Sequence, residues 1–137
     1  QLIRLEPANP EHYINLGGTF WAMGKTAEAL GAYAEAVKLK PDHPVARFNL
    51  AKALLAQNGF REAATEFAEA VRLKPDYPEA LTGWGRALTQ AGDFEAALSR
   101  FEKALQLRPD AFTCYHAGLA HLLNHHPHDA VACFRRA

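Results

Sequence analysis

Four histidines near the carboxyl end form the densest group of potential metal ligands in the chain. They are His121, His125, His126 and His128. His121 and His125 lie four residues apart, so on a helix they would share one face and could bind one metal ion. The carboxylate-plus-histidine signature of a catalytic zinc site is absent, and the group surrounds a turn that ends at Pro127. We therefore predict exposed turn histidines and adventitious nickel or zinc binding, with no dedicated metal site and no cofactor.

The two cysteines, Cys114 and Cys133, are too few for a disulfide framework in a chain of 137 residues. Each lies in or near the apolar face of a predicted helix, where an unpaired cysteine behaves as a small hydrophobic residue. We predict two buried thiols, and the sequence leaves open whether they pair.

Two asparagines, Asn15 and Asn49, occupy the same place in successive units of an internal repeat, which is described below. A primary amide is both a donor and an acceptor of hydrogen bonds, which is the pair that an extended peptide backbone needs. Amides repeated along one surface could hold a peptide without contacting its side chains. The series is interrupted where its next members would lie, at Gly83 and His116.

The composition excludes several classes of function. Fifteen Lys+Arg balance fifteen Asp+Glu, so the net charge of +0 gives no electrostatic reason to expect binding to nucleic acid or to a membrane surface. No apolar run approaches the length of a membrane span. There is no phosphate-binding loop, no Ser/His/Asp arrangement and no convincing pair of catalytic carboxylates, so we predict that the segment is not an enzyme.

Prolines reveal an internal repeat with one constant step. One series is Pro7, Pro41, Pro75 and Pro109, and a second series with the same step is Pro10, Pro44 and Pro78. The repeat divides the chain into the end of a preceding unit (1–9), three units (10–43, 44–77 and 78–110) and a truncated fourth (111–137). The equivalent glycines Gly85 and Gly118 are one residue closer together in the sequence than Pro7 and Pro41, which places a one-residue deletion after Asp110.

Within each unit, the apolar residues have helical spacing and form two stripes. In the first unit they are Tyr13, Leu16, Gly17 and Phe20, followed by Ala29, Tyr33, Ala36 and Val37. Gly24 separates the two stripes, and Asn58-Gly59 and Gly92-Asp93 do so in later units. The Pro10 series begins each first helix and the Pro7 series ends each second helix. Each unit is therefore predicted to be an antiparallel helix pair.

Small residues occur at equivalent places on the two helices of a unit. They are Gly17, Ala51, Gly85 and Gly118 on the first helices, and Ala29, Ala63, Ala97 and Ala130 on the second. We expect these residues to face each other, with an aromatic of the second helix filling the space beyond them (Tyr33, Phe67, Phe101 and Phe134). Stacked pairs would then form an array that is stabilised by contacts between neighbours.

These motifs resemble the tetratricopeptide repeat (TPR) family. The family pattern appears as Tyr13-x2-Leu16-Gly17-x2-Phe20 with Ala29-x3-Tyr33 and Pro41, and again as Leu81-x2-Trp84-Gly85-x2-Leu88 with Ala97-x3-Phe101 and Pro109. The second and fourth units match less well. The resemblance covers essentially the whole chain. It implies an all-α, right-handed superhelical solenoid of antiparallel helix pairs.

The resemblance also implies a function, which is a scaffold that binds a peptide or protein partner in a groove lined by the first helices. The groove residues that we expect to bind are Asn15, Asn49, Ile14, Trp21, Phe48, Lys52, Arg86, Tyr115 and His116. An alternative is that asparagine is simply common at this position in TPR sequences. The carboxylate clamp of some TPR co-chaperones is disfavoured, because Ile14, Gly18, Glu79 and Gly83 stand where Lys, Asn, Lys and Arg would be needed.

A second function is compatible with the resemblance, a substrate-recruiting arm of a larger enzyme such as a protein glycosyltransferase. The chain has no polar capping helix, so we expect a slice of a longer array. Apolar residues at its two ends predict weak end-to-end self-association (Leu2, Ile3 and Leu5, with Val131 and Phe134). TPR proteins work both in the cytosol and in the bacterial envelope; we favour the cytosol, although the sequence does not identify the compartment.

Overall fold

The computed structural model describes residues 9–124 and 127–136, which contain eight α-helices and no strand. The helices are α1 (Pro10–Ala22), α2 (Thr26–Leu39), α3 (Pro44–Ala56), α4 (Phe60–Leu73), α5 (Pro78–Gln90), α6 (Phe94–Leu107), α7 (Ala111–Leu123) and α8 (Pro127–Arg136). Each helix packs against its neighbours in sequence, and the odd-numbered helices of adjacent pairs also contact each other. The predicted all-α, right-handed superhelical solenoid of helix pairs is confirmed.

Prolines set both limits of the helix pairs, as the sequence predicted. The first turns of α1, α3 and α5 each begin with a proline, where the missing N–H sacrifices no intrahelical hydrogen bond. The helices α2, α4 and α6 each end two residues before a proline of the other series. The one-residue deletion also lies where it was predicted, because residues 108–110 connect α6 to α7 whereas the two earlier connections, 40–43 and 74–77, are each one residue longer.

The turn inside each of the first three pairs contains one residue in the left-handed conformation. The φ angles are 78° at Gly24, 65° at Asn58 and 89° at Gly92, and these positions are equivalent in successive pairs. In the second pair the residue is Asn58 rather than its neighbour Gly59. Asparagine tolerates this conformation better than most residues with a side chain.

An aromatic ring of the second helix lies directly against a glycine of the first. A Cβ atom added at Gly85 would lie 2.6 Å from Cε1 of Phe101, which is fully buried. The same contact is made by Gly17 with Tyr33 and by Gly118 with Phe134. We had expected the glycines to face alanines with the rings beyond them, so this detail of the packing was wrong. The ring itself occupies the space that the missing side chain leaves.

The second pair differs because Ala51 replaces the glycine. Its ring, Phe67, lies against Gly83 of the next pair, and a Cβ atom added at Gly83 would overlap that ring. Phe67 is fully buried in a cluster that also contains Ala51 and Tyr77. The ring therefore joins the second repeat to the third.

Two side chains differ in burial from the pattern expected of them. Leu16, predicted to lie in the apolar stripe of α1, is 39% exposed. Cys133 is partly buried and Cys114 is buried, and the two do not form a disulfide.

No helix among residues 9–124 and 127–136 has the length and the apolar character that a membrane span needs.

Replacing Gly85 with alanine should destabilise the protein, whereas the same change at Gly31 should stabilise it. Alanine is favoured over glycine in a helix by about 0.5–1 kcal/mol, and nothing lies within 4 Å of a Cβ atom at Gly31. At Gly85 the new methyl group would have to displace the buried Phe101 ring, and overpacking typically costs about 1–3 kcal/mol. Urea unfolding of both variants measures the difference. Equal free energies of unfolding would show that the ring can move away without cost.

Candidate functional site

The odd-numbered helices line a groove that contains two adjoining cavities. The first, which we call the amide cavity, has a volume of about 800 Å³ and lies between α1 and α3. It is lined by Ile14, Asn15, Gly18, Thr19, Trp21, Ala22, Met23, Tyr33, Asn49 and Lys52. The second, which we call the socket, has a volume of about 400 Å³ and is centred on α5. Its lining residues are Trp21, Phe48, Lys52, Leu55, Ala56, Phe67, Glu79, Thr82, Gly83, Arg86, Arg108, Asp110 and Phe112.

The two asparagines of the repeated series line the same cavity. Asn15 is exposed and Asn49 is partly buried. Neither side-chain amide makes a hydrogen bond within the described residues. The backbone carbonyl of Asn15 accepts a hydrogen bond from the Thr19 hydroxyl. Both amides are therefore available to a ligand.

The socket has a floor of small residues and walls of large ones. Thr82 and Gly83 form the floor, with the Phe67 ring packed beneath Gly83. Phe48 forms one wall, and its ring centroid lies 5.9 Å from that of Phe67 and 5.1 Å from that of Tyr77. These ring contacts hold the wall in place.

Two of the three cations that line the socket lie over aromatic rings. The Nζ atom of Lys52 is 5.3 Å from the centroid of Trp21 and 5.4 Å from that of Phe48. The guanidinium carbon of Arg86 is 5.4 Å from the centroid of Phe112. Burial lowers the pKa of Arg86, and neither cation forms an ion pair with a carboxylate of the described residues. Within the described part of the chain, aromatic ring faces lie against these two positive charges in place of carboxylates.

The acidic residues of the socket, in contrast, already have partners. Arg108 Nη1 lies 3.1 Å from Glu79 Oε2. Asp110 accepts a hydrogen bond of 3.1 Å from the Thr113 hydroxyl, which in turn lies 2.8 Å from the Thr82 hydroxyl. Because Thr113 donates to Asp110, Thr82 is the donor to Thr113. The chain of hydrogen bonds connects α5 to the start of α7 beneath the socket.

The last two predicted groove residues line neither cavity. Tyr115 is 50% exposed, and His116 is packed between Phe112 and Tyr115, at ring-centroid distances of 4.5 and 5.4 Å. Burial, followed by repulsion from Arg86, lowers the pKa of His116 to about 4. The imidazole is therefore neutral at pH 7 and adds no charge to the groove.

The other seven predicted groove residues line at least one of the two cavities. Phe67, Arg108 and Asp110 are among the lining residues that sequence analysis missed. Phe67 belongs to a second helix, and its contact with Gly83 depends on how two repeats stack. Arg108 and Asp110 lie in the connection shortened by the deletion, which is the one sequence signal that could have drawn attention to them.

The histidine group at the carboxyl end is described only in part. His125 and His126 lie outside the described residues. Nδ1 of His121 lies 4.0 Å from Asp129 Oδ2, and His128 is exposed. Among the residues that the structure describes, no three His, Cys, Asp or Glu side chains are grouped so that they could hold a metal ion.

Thr113→Val should destabilise the protein more than Thr82→Val. The first change removes both hydrogen bonds of the chain and leaves the buried Thr82 hydroxyl without its acceptor. The second removes only one, and a typical hydrogen bond contributes about 0.5–1.5 kcal/mol. Chemical unfolding of the two variants gives the comparison. A loss for Thr82→Val that equals or exceeds the loss for Thr113→Val would contradict this chain of hydrogen bonds.

His116 should remain neutral down to about pH 4. Because its folded pKa lies below the usual value near 6.5, the unfolded chain gains a proton first as the pH falls. As the pH falls from about 6.5 to about 4, the titration of His116 therefore lowers the free energy of unfolding. This loss of stability is complete below the folded pKa. The His116→Gln variant should lose less stability over this interval. A His116 ring resonance that titrates near pH 6.5 in NMR spectra would contradict the assignment.

Comparison with known proteins identifies the family. The family description of the tetratricopeptide repeat matches residues 1–44, 15–78 and 48–112, which together span most of the chain. No curated protein matches the sequence.

Several solved structures share the fold. MamA (41-end) from Desulfovibrio magneticus RS-1 has a TM-score of 0.91 at 21% identity, over 98% of this chain and 76% of that one. TTC0263, a TPR protein of Thermus thermophilus, has a TM-score of 0.81 at 23% identity, over 93% and 72%. The first TPR of Spaghetti (RPAP3), bound to the HSP90 peptide SRMEEVD, has a TM-score of 0.78 at 24% identity, over 85% and 91%. With most of its length matched by the family description, the chain belongs to the tetratricopeptide repeat family.

Proposed function

We propose that this chain is an interaction scaffold that binds an extended segment of another protein in the groove of its first helices. The observation that carries the proposal is that Asn15 and Asn49 line one cavity with side-chain amides that form no hydrogen bond to another described residue. An extended backbone presents N–H and C=O groups in alternation, and each amide can satisfy one of each. The adjoining aromatic rings supply apolar contact area, which is the usual complement to a few polar anchors in a binding site.

The HSP90 peptide bound by the Spaghetti repeat shows that a chain with this fold can hold a short peptide. The same ligand does not suit the present chain. Ile14 and Gly83 offer no positive charge where the clamp requires a lysine and an arginine, and Glu79 places a carboxylate, paired with Arg108, where it requires a second lysine. The proposed ligand is therefore a segment held mainly through its backbone and side chains rather than through a terminal carboxylate.

A substrate-recruiting arm of a larger enzyme would use the same groove and the same amides. The series of asparagines is interrupted after Asn49, since Gly83 and His116 occupy the following positions. A short series favours recruitment of one defined segment over a long, sequence-independent hold. We therefore place the scaffold ahead of the enzyme arm.

End-to-end association remains a separate proposal. Val131 is 47% exposed and Phe134 is partly buried at one end of the solenoid, whereas Leu2, Ile3 and Leu5 lie outside the described residues. Such contacts would leave the groove open to a ligand.

The double change Asn15→Ala with Asn49→Ala should weaken binding of a groove peptide about tenfold or more while leaving the fold intact. Each lost hydrogen bond typically costs about 0.5–1.5 kcal/mol, and about 1.4 kcal/mol is a factor of ten in affinity. The peptide is taken from a random library selected on the full chain, and its affinity is measured by calorimetry. Gln106→Ala removes an exposed amide from α6 and serves as the control. Equal affinities for the double mutant and the parent would place the ligand elsewhere.

A further inference from the structure

We propose that the socket receives one large apolar side chain of the bound segment, and that Lys52 and Arg86 bind carboxylates on either side of it. The partner is then an extended segment in which a bulky apolar residue is flanked by Asp or Glu. This inference rests on the proposed function and adds the chemistry of the ligand to it.

The size of the socket suits a single side chain with its flanking backbone. Its volume is about 400 Å³, near the lower end of the roughly 300–1,000 Å³ that is typical of small-molecule sites. The space arises because the third repeat contributes Thr82 and Gly83 where the second contributes Phe48 and Asn49. Gly83, which interrupts the asparagine series, is thus the floor of a cavity.

The floor of the socket favours an apolar occupant. The hydroxyl of Thr82, which is 6% exposed, is already engaged with Thr113. The Phe67 ring closes the space beneath Gly83. Leu55 and the rings of Phe48 and Phe112 form apolar walls above this floor. A polar side chain that reached the floor would lose water without meeting an unengaged polar group there.

The charged side chains around the socket favour an anionic ligand. Its lining contains three cations and two carboxylates. Arg108 is paired with Glu79, and Asp110 accepts the Thr113 hydrogen bond, so Lys52 and Arg86 are left without a carboxylate partner among the described residues. Ring faces stabilise a cation less than a charge-assisted hydrogen bond does, and they leave its N–H groups able to donate to a ligand.

The two cations without a carboxylate partner lie on different sides of the socket. Lys52 sits against Trp21 and Phe48, which come from α1 and α3. Arg86 projects from α5 onto Phe112 of α7. A side chain inserted between these groups therefore has a cation on each side, and acidic residues flanking it in the ligand would meet both.

The test is a selection of random dodecapeptides on the full chain, followed by anisotropy titrations of labelled peptides with matched variants. We expect enrichment of sequences in which Leu, Phe, Met or Trp has an acidic residue within two positions on each side. Phe112→Ala should weaken their binding at least about tenfold, whereas Tyr115→Ala should not. The two residues are 51% and 50% exposed on the same helix, but only Phe112 lines the socket.

The charge contacts have their own pair of variants. Arg86→Met should weaken binding about tenfold, whereas Lys103→Met, an exposed lysine of α6, should leave it unchanged. Arg86→Glu should in addition restore binding to a peptide in which one acidic flank is replaced by lysine. A merely structural role of Arg86 would not produce that exchange of preference.

Two results would overturn the inference in different ways. Selected peptides that lose affinity with Asn15→Ala and Asn49→Ala but bind Phe112→Ala and Arg86→Met normally would keep the proposed function and remove the socket from it. A selection that yields no peptide sensitive to any groove variant would remove the proposed function, and this inference would fall with it.

Discussion

The close contact between a glycine of the first helix and an aromatic ring of the second determines how this array is built. Any side chain at Gly17, Gly85 or Gly118 would occupy space that the ring fills. The missing side chain lets the helices of a pair approach closely, and the rings of Tyr33 and Phe101 lose nearly all contact with water. Burying such a ring completely is worth about 1.5–3 kcal/mol, and each of these pairs repeats the contact. The regular spacing of the first helices, and hence of the groove, follows from it.

The shape of the groove depends on the second repeat, in which alanine replaces the glycine. With alanine at residue 51, Phe67 lies against Gly83 of the following repeat. The third repeat is thereby confined to small groups at the point where its neighbours present large ones. A depression opens among aromatic residues, and two of the cations that border it, Lys52 and Arg86, lie against those residues instead of against carboxylates. Packing inside the solenoid and the shape of its surface thus have one cause.

Sequence analysis predicted the helix pairs, their limits and most of the groove lining, because these depend on local rules. Proline positions mark the ends of helices, and the helical period assigns residues such as Lys52 and Arg86 to one face. It did not predict which ring meets which glycine, since Phe67 and Gly83 belong to different repeats and their contact depends on how the repeats stack. It also missed Arg108 and Asp110, which were assigned to a connection, and it could not foresee that Tyr115 and His116 would lie beside the cavities instead of in them.

The position of Phe67 makes the repeats unequal as building units. In an ideal array each repeat contacts its neighbours through identical surfaces, so units can be exchanged, duplicated or removed without changing the junctions that remain. Here the Phe67 ring of the second repeat requires a glycine at the position of Gly83 in the repeat that follows it. The second repeat has Asn49 at the equivalent position, and the side chain of an asparagine there would overlap the ring. The order of these two repeats is therefore determined by their side chains, and the junction between them is a place where the array cannot be lengthened by copying the second unit.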